Sequence, residues 1–214
     1  MATHVIAAVT REPSAGSSET VMPSSRHIPV LSAFAHSRLR LAVARLDRRL
    51  ADAELKQGHF VVDMGCGTGL FIPEILSAVG PTGLIYGVEP HSERMREAQQ
   101  RVGNVPQVQL MLTDTADVEI PDASVDRVLL NGVFHTLRDR SGTVREIRRI
   151  LKPGGKLWLW EPRLYLSAWQ VRSYEGMFNG SRFTLEWRSD GPLGFARRFV
   201  ADNSEPGSRL RDTL

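Results

Sequence analysis

From Val61 to Gly69 the chain reads V-V-D-M-G-C-G-T-G, and few folds can hold that run. A short apolar segment ends in an acidic residue and passes into three glycines at alternate positions, the pattern of a buried strand turning tightly into a helix. Gly65, Gly67 and Gly69 open backbone angles closed to other residues and leave no side chain between the loop and a ligand lying against it. Such a turn suits a nucleotide-like ligand. Glycine-rich strand-to-helix turns also serve packing alone, so the flanking chain has to discriminate.

The flanks alternate strand and helix. Leu39, Val43, Leu46 and Leu50 follow one another at steps of four, three and four, one face of a helix over residues 31–53. Downstream, strands are expected over 60–63, 84–89, 108–113, 125–131 and 156–161. Between them come a helix carrying Leu70, Ile75, Leu76 and Val79, then helices over 92–102 and 143–151. Pro73 fits the first turn of its helix, where its missing N–H has no intrahelical partner. Lys152-Pro153-Gly154-Gly155 reads as a sharp turn, and residues 182–188 and 195–201 as an antiparallel hairpin. Strands and helices at this spacing predict an α/β fold: a Rossmann-like, doubly wound, mostly parallel seven-stranded sheet with the C-terminal hairpin at one edge. Residues 1–26, rich in Ser and Thr without apolar period, read as a mobile leader and 27–57 as an N-terminal helical lid. Residues 58–203 read as the ligand-binding domain and 204–214 as a frayed tail.

Composition narrows the function classes. A chain of 214 residues, 42% hydrophobic and 24% charged, makes one ordinary domain. No apolar run approaches the roughly 18 residues of a membrane span. Residues 1–8 lack a basic start and a cleavage site, so export is not expected. The single cysteine, Cys66, forms no intrachain disulfide and no multi-cysteine metal site, which suits a reducing cytoplasm. Net charge is +3. Arg38, Arg40, Arg45, Arg48 and Arg49, and again Arg145, Arg148 and Arg149, sit on expected helices without interleaved aromatics, the mark of a solvated face more than of nucleic-acid binding. A homodimer is allowed.

Ligands of open parallel sheets bind at the carboxyl ends of the strands. Glu89, ending the second strand and followed by Pro90, is placed to accept from both ribose hydroxyls. A dinucleotide loop reads G-x-G-x-x-G, whereas here the third glycine arrives one residue early and Asp63 precedes the first by two. That carboxylate disfavours a pyrophosphate and suits an ammonium or sulfonium. S-adenosylmethionine is such a ligand.

V-V-D-M-G-C-G-T-G, then G-L-I-Y-G-V-E-P-H-S-E-R-M-R-E-A, D-T-A-D-V-E-I-P-D-A-S-V-D-R-V and R-R-I-L-K-P-G-G-K-L resemble the successive motifs of class I S-adenosylmethionine-dependent methyltransferases. The likeness spans residues 58–161 and is to the small-molecule group that includes the ubiquinone and menaquinone biosynthesis methyltransferases. It implies that Gly65, Cys66, Gly67 and Gly69 form the cofactor loop, that Asp63 helps fix the methionine end and that Glu89 holds the ribose with Pro90 beside it. Asp114 and Thr115 would frame the adenine, and Asn131 and Gly132 would face the methionine and the methyl group. The chain departs from the family pattern at Ala116 and at Val118-Glu119-Ile120, where an acidic residue and L-P-F are common.

Methyl transfer from a sulfonium asks mainly for alignment, and a base helps when the acceptor is a hydroxyl or acidic carbon. His135, just past the fourth strand, is the candidate catalytic residue, with a structural histidine as the alternative. Glu161, Arg163, Tyr165 and Trp169 are candidates to line the acceptor pocket, and Cys66 reads as a small loop residue with no base to activate it. No metal is expected. The leading expectation is methylation of a small-molecule acceptor. Docking of a nucleic acid or protein on the arginine-rich helices, and a non-catalytic cofactor-binding subunit, are the alternatives.

Overall fold

The computed structural model describes residues 52–202. The expected leader, most of the 27–57 lid and the 204–214 tail lie outside these residues. Within them the order is β1 (Phe60–Met64), α1 (Ile72–Val79), β2 (Leu84–Val88), α2 (Ser92–Val102), β3 (Val108–Met111) and β4 (Val125–Asn131), then α3 (Arg140–Ile150), β5 (Leu151–Pro162), α4 (Ala168–Gly180), β6 (Phe183–Asp190) and β7 (Gly194–Ala201). Single 3-10 turns follow β4 (Phe134–Thr136) and β5 (Arg163–Tyr165).

The seven strands form one sheet in the order β3-β2-β1-β4-β5-β7-β6. Neighbours from β3 to β5 pair in parallel, and β7 runs antiparallel to both β5 and β6. The sheet is therefore mostly parallel with an antiparallel hairpin at one edge, as the alternation of elements predicts.

Side-chain alternation gives the sheet two buried faces. Val61, Ile85, Leu129 and Trp158 pack with Ile72, Ile75 and Val79 of α1. Val62, Val128, Leu130, Leu157 and Leu159 face the other way, onto Val144, Ile147 and Ile150 of α3 and Val171, Tyr174 and Phe178 of α4. There Phe134, Phe178, Phe183, Phe199 and Tyr174 form a ladder of edge-on and tilted rings with centroids 4.8–5.8 Å apart. Leucine, isoleucine and aromatic burial on both sides is the main source of stability in such a sheet.

Three elements differ most from the sequence expectation. Helix α3 begins at Arg140 because Asp139 caps it, its side chain accepting the Gly142 N–H at 2.7 Å. The expected turn at 152–155 lies inside β5: Val125 pairs with Leu151, the register shifts, and pairing resumes from Arg127 with Lys156. Gly154, at φ +73°, supplies the left-handed residue that lets a strand bulge and continue. Helix α4, absent from the sequence reading, starts at a capping box between Ser167 and Gln170.

Candidate functional site

Strand β1 delivers Asp63 to the carboxyl end of the sheet, and the glycine loop begins directly beyond it. Gly65 and Cys66 both donate their N–H groups to the Val88 carbonyl, at 2.8 and 2.9 Å, tying the loop to the end of β2. Gly65, Gly67 and Gly69 have φ of +80°, +58° and +69°, the left-handed region that glycine enters without steric cost. A Cβ on Gly65 would fall 2.5 Å from Val133, and one on Gly69 3.1 Å from the Ala98 side chain, whereas a Cβ on Gly67 would meet nothing within 4 Å. The first and third glycines are thus required by close packing within the protein. The second presents open backbone.

Glu89, only 2% exposed, reaches back into this loop. Its Oε2 accepts the Gly67 N–H at 3.1 Å; its Oε1 accepts the His91 N–H at 3.0 Å and lies 2.6 Å from His91 Nδ1. Pro90 between them is exposed. Register places Asp63 opposite Gly87 of β2 and Leu129 of β4, so Asp63, Glu89 and Asn131 share the α1 face of the sheet. Asp63 Oδ2 and Asn131 Oδ1 are buried with no hydrogen-bond partner among the described residues. Burial, and then the negative charge of Glu89, raise the Asp63 carboxyl to about 7. Cys66 turns its side chain into the core beside Phe71 and Ile72, and burial with the charges of Asp63 and Glu89 drives its thiol well above the ordinary range. Its N–H is taken by Val88 and its carbonyl by the Gly69 N–H, so Cys66 shapes the loop from inside.

The adenine candidates are arranged otherwise. Asp114 is exposed, with Oδ1 accepting the Ala116 N–H at 3.0 Å. Thr115 is buried with its hydroxyl 2.8 Å from that of Thr143, so its side chain faces α3.

On the α3 and α4 face of the same sheet end stands a second group. Glu161, 1% exposed, accepts the Phe134 N–H at 2.7 Å through Oε1 and pairs through Oε2 with His135 Nδ1. The His135 ring stacks on Tyr165, centroids 5.2 Å apart and planes 17° apart. Arg140 clasps the same turn, donating to the carbonyls of Phe134 and His135. Tyr165 is itself half exposed, and Leu164, Trp169 and Leu193, from the turn after β5, the start of α4 and the β6–β7 connection, are exposed as well. Gly132, at φ +68°, donates to the Trp160 carbonyl at 2.7 Å and turns the chain from β4 into this group.

The structure therefore brings Asp63, the glycine loop, Glu89 and Asn131 together on one face and His135 with Glu161 on the other. It keeps the side chains of Cys66 and Thr115 out of both. One partner escapes the sequence reading: His91, whose only signal is its place two residues after a strand-end carboxylate. Glu161 is expected there as a residue lining the acceptor pocket, and the structure adds its pairing to His135.

The donor set fits S-adenosylmethionine on one observation above the rest: on the same face of the sheet end the buried acceptor oxygens Asp63 Oδ2 and Asn131 Oδ1 lack partners, and acceptors of this kind are what a cationic ammonium satisfies. Among the described residues no group of three or more His, Cys, Asp or Glu side chains could hold a metal ion, and no helix is long and apolar enough to cross a membrane.

Comparison with known proteins agrees with this fit. Residues 62–159 match the methyltransferase domain family. Half of the chain, 108 residues, is 27% identical to a demethylmenaquinone methyltransferase of Staphylococcus carnosus, covering 45% of that protein. Over 109 residues, 51% of the chain, it is 31% identical to an uncharacterized 37.1 kDa protein of transposon TN4556 from Streptomyces fradiae, covering 32% of it. The chain thus spans less than half the length of these curated relatives. Its fold superposes with a TM-score of 0.72 on an S-adenosylmethionine-dependent methyltransferase from Aquifex aeolicus, 19% identical, over 82% of this chain and 100% of the other. The domain match and the shared fold identify residues 62–159 as a class I S-adenosylmethionine-dependent methyltransferase domain, and S-adenosylmethionine is the cofactor such a domain implies.

Proposed function

We propose that the protein transfers a methyl group from S-adenosylmethionine to a small-molecule acceptor in the cytoplasm. The observation that carries the donor half is the pair of unpartnered buried oxygens on Asp63 and Asn131. Asp63 and Asn131 would hold the ammonium, the open backbone at Gly67 would lie against the ligand, and Glu89 would take the ribose hydroxyls in exchange for its bonds to His91. Gly65 and Gly69 keep the loop close to its neighbours, and Cys66 supports it from below. Thr115 and Gly132 contribute backbone beside the adenine and the methyl group, and the exposed Asp114 and Pro90 stand at the rim.

When bound, the cofactor supplies a methyl group already activated by its sulfonium. What the chain adds is alignment, exclusion of water and a place for a proton. His135 is the base, reached by an acceptor lying on the exposed apolar surface of Leu164, Tyr165 and Trp169. The acceptor's small size is supported by the likeness to demethylmenaquinone methyltransferases over half of the chain. Residues 27–57 are the candidate lid, and 58–203 the catalytic domain.

The test is incubation of the full chain with methyl-labelled S-adenosylmethionine and a fractionated cell extract, followed by mass identification of the labelled product. Label in a small molecule, with S-adenosylhomocysteine formed in equal amount, is the expected result. Cofactor binding without S-adenosylhomocysteine in any fraction overturns the enzyme reading, and label in protein or nucleic acid overturns the acceptor class.

A further inference from the structure

We propose that Glu161 is a positioning residue: it holds His135 with the proton on Nδ1 and the lone pair of Nε2 open to the acceptor. The methyl acceptor is accordingly one that carries a proton on its attacking atom, a hydroxyl or an acidic carbon. The inference rests on the methyltransferase reading and extends it to the proton.

Three contacts fix the imidazole. The Glu161 carboxylate takes Nδ1, the Tyr165 ring covers one face, and Arg140 anchors the backbone of the turn through the Phe134 and His135 carbonyls. Glu161 itself has no freedom, since it is buried and its second oxygen is held by the Phe134 N–H. An ionised carboxylate only accepts, so the Nδ1 facing it must carry the hydrogen, and a neutral ring then has its lone pair on Nε2. Among the described residues Nε2 has no partner, while the His135 side chain is partly open to solvent. A buried carboxylate that orients a histidine whose other nitrogen is accessible is the arrangement of a base with its orienting group.

The step balances without a further reagent. The electron pair of the acceptor atom forms the bond to the methyl carbon, and sulfur keeps the pair of the broken S–C bond. The acceptor's proton passes to Nε2, leaving an imidazolium whose charge Glu161 offsets.

Two measurements test this. In the first, the full chain labelled with 15N-histidine is examined by NMR without cofactor at about pH 9, above the ordinary histidine range. The expected signature for His135 is the Nδ1–H tautomer, lost in Glu161→Ala; an Nε2–H tautomer in the parent overturns the proposal, and this parent spectrum decides even if the variant does not fold. In the second, label transfer to the extract's small molecules is followed for Glu161→Gln, His135→Ala and the double variant, with S-adenosylhomocysteine affinity by calorimetry as the control. Glu161→Gln is expected to lower turnover about ten- to a hundredfold, to add nothing once His135 is gone, and to leave the affinity within twofold. Independent, multiplying losses assign Glu161 to structure alone and overturn the proposal. Should no fraction accept label, the enzyme reading fails by itself, and the tautomer measurement still decides the role of Glu161.

Discussion

The two faces of the sheet end use buried carboxylates in opposite ways. On the α1 face Asp63 is buried with one oxygen unpartnered and a raised pKa, and Glu89 stands beside it as a second negative charge. On the α3 and α4 face Glu161 is as deeply buried, yet both its oxygens are occupied by groups of the protein itself. An incomplete site costs stability until a ligand completes it, whereas a completed one rigidifies what it touches. The first face is built to receive charge from outside, the second to aim a side chain.

Removing the aimed side chain is the largest perturbation this contrast predicts. His135→Ala is expected to lower turnover by about 10²–10⁴-fold with cofactor affinity nearly unchanged, the range of a lost general base. Steady-state kinetics beside calorimetry checks it, and an unchanged rate at saturating acceptor would make His135 a lining residue. On the receiving face, Glu89→Ala should weaken S-adenosylhomocysteine about ten- to a hundredfold, the loss of charge-assisted bonds. An affinity within twofold of the parent contradicts that assignment.

A smaller effect comes from Asp63 and has a definite sign. Its folded carboxyl, at about 7, lies above the ordinary value of 3.8, so the unliganded protein takes up a proton there that the unfolded chain does not. Between those values stability falls as pH rises, because the unfolded chain ionises this carboxyl while the folded one holds its proton. An ammonium ligand needs the ionised form. Affinity for S-adenosylhomocysteine should therefore rise with pH up to about 7, by up to about tenfold per unit, and level off above it, with Asp63→Asn abolishing the slope. The smallest expected change is Thr115→Val, which removes the bond to Thr143 for about 1 kcal/mol of stability by chemical denaturation while sparing cofactor affinity. A loss of affinity instead would put the Thr115 hydroxyl on the ligand.

How far the sequence could be read followed from the range of the interactions involved. The strands and glycine loop are written in local periodicity, so α2 and β4 were legible to the residue. Helix α4 was hidden because Val171, Tyr174 and Phe178 are its only buried positions and Gly176 and Gly180 dilute the pattern. The bulge in β5 looked like a turn because Pro and Gly punctuate both, and only pairing with β4 tells them apart. Asp63 and Glu89 could be chosen as strand-end acids. Their states could not, since the orphaned oxygen and the clasp of Glu89 on Gly67 join residues from different strands.

The contact between Gly65 and Val133 has a mechanical consequence. Val133 sits two residues before His135, and its methyls fill the space that a side chain at position 65 would take. The loop proposed to carry the donor and the turn proposed to carry the base are thus in register like meshed teeth. Any side chain at position 65 would push the two apart, so the spacing between the proposed donor loop and the proposed base turn depends on a bare backbone at Gly65.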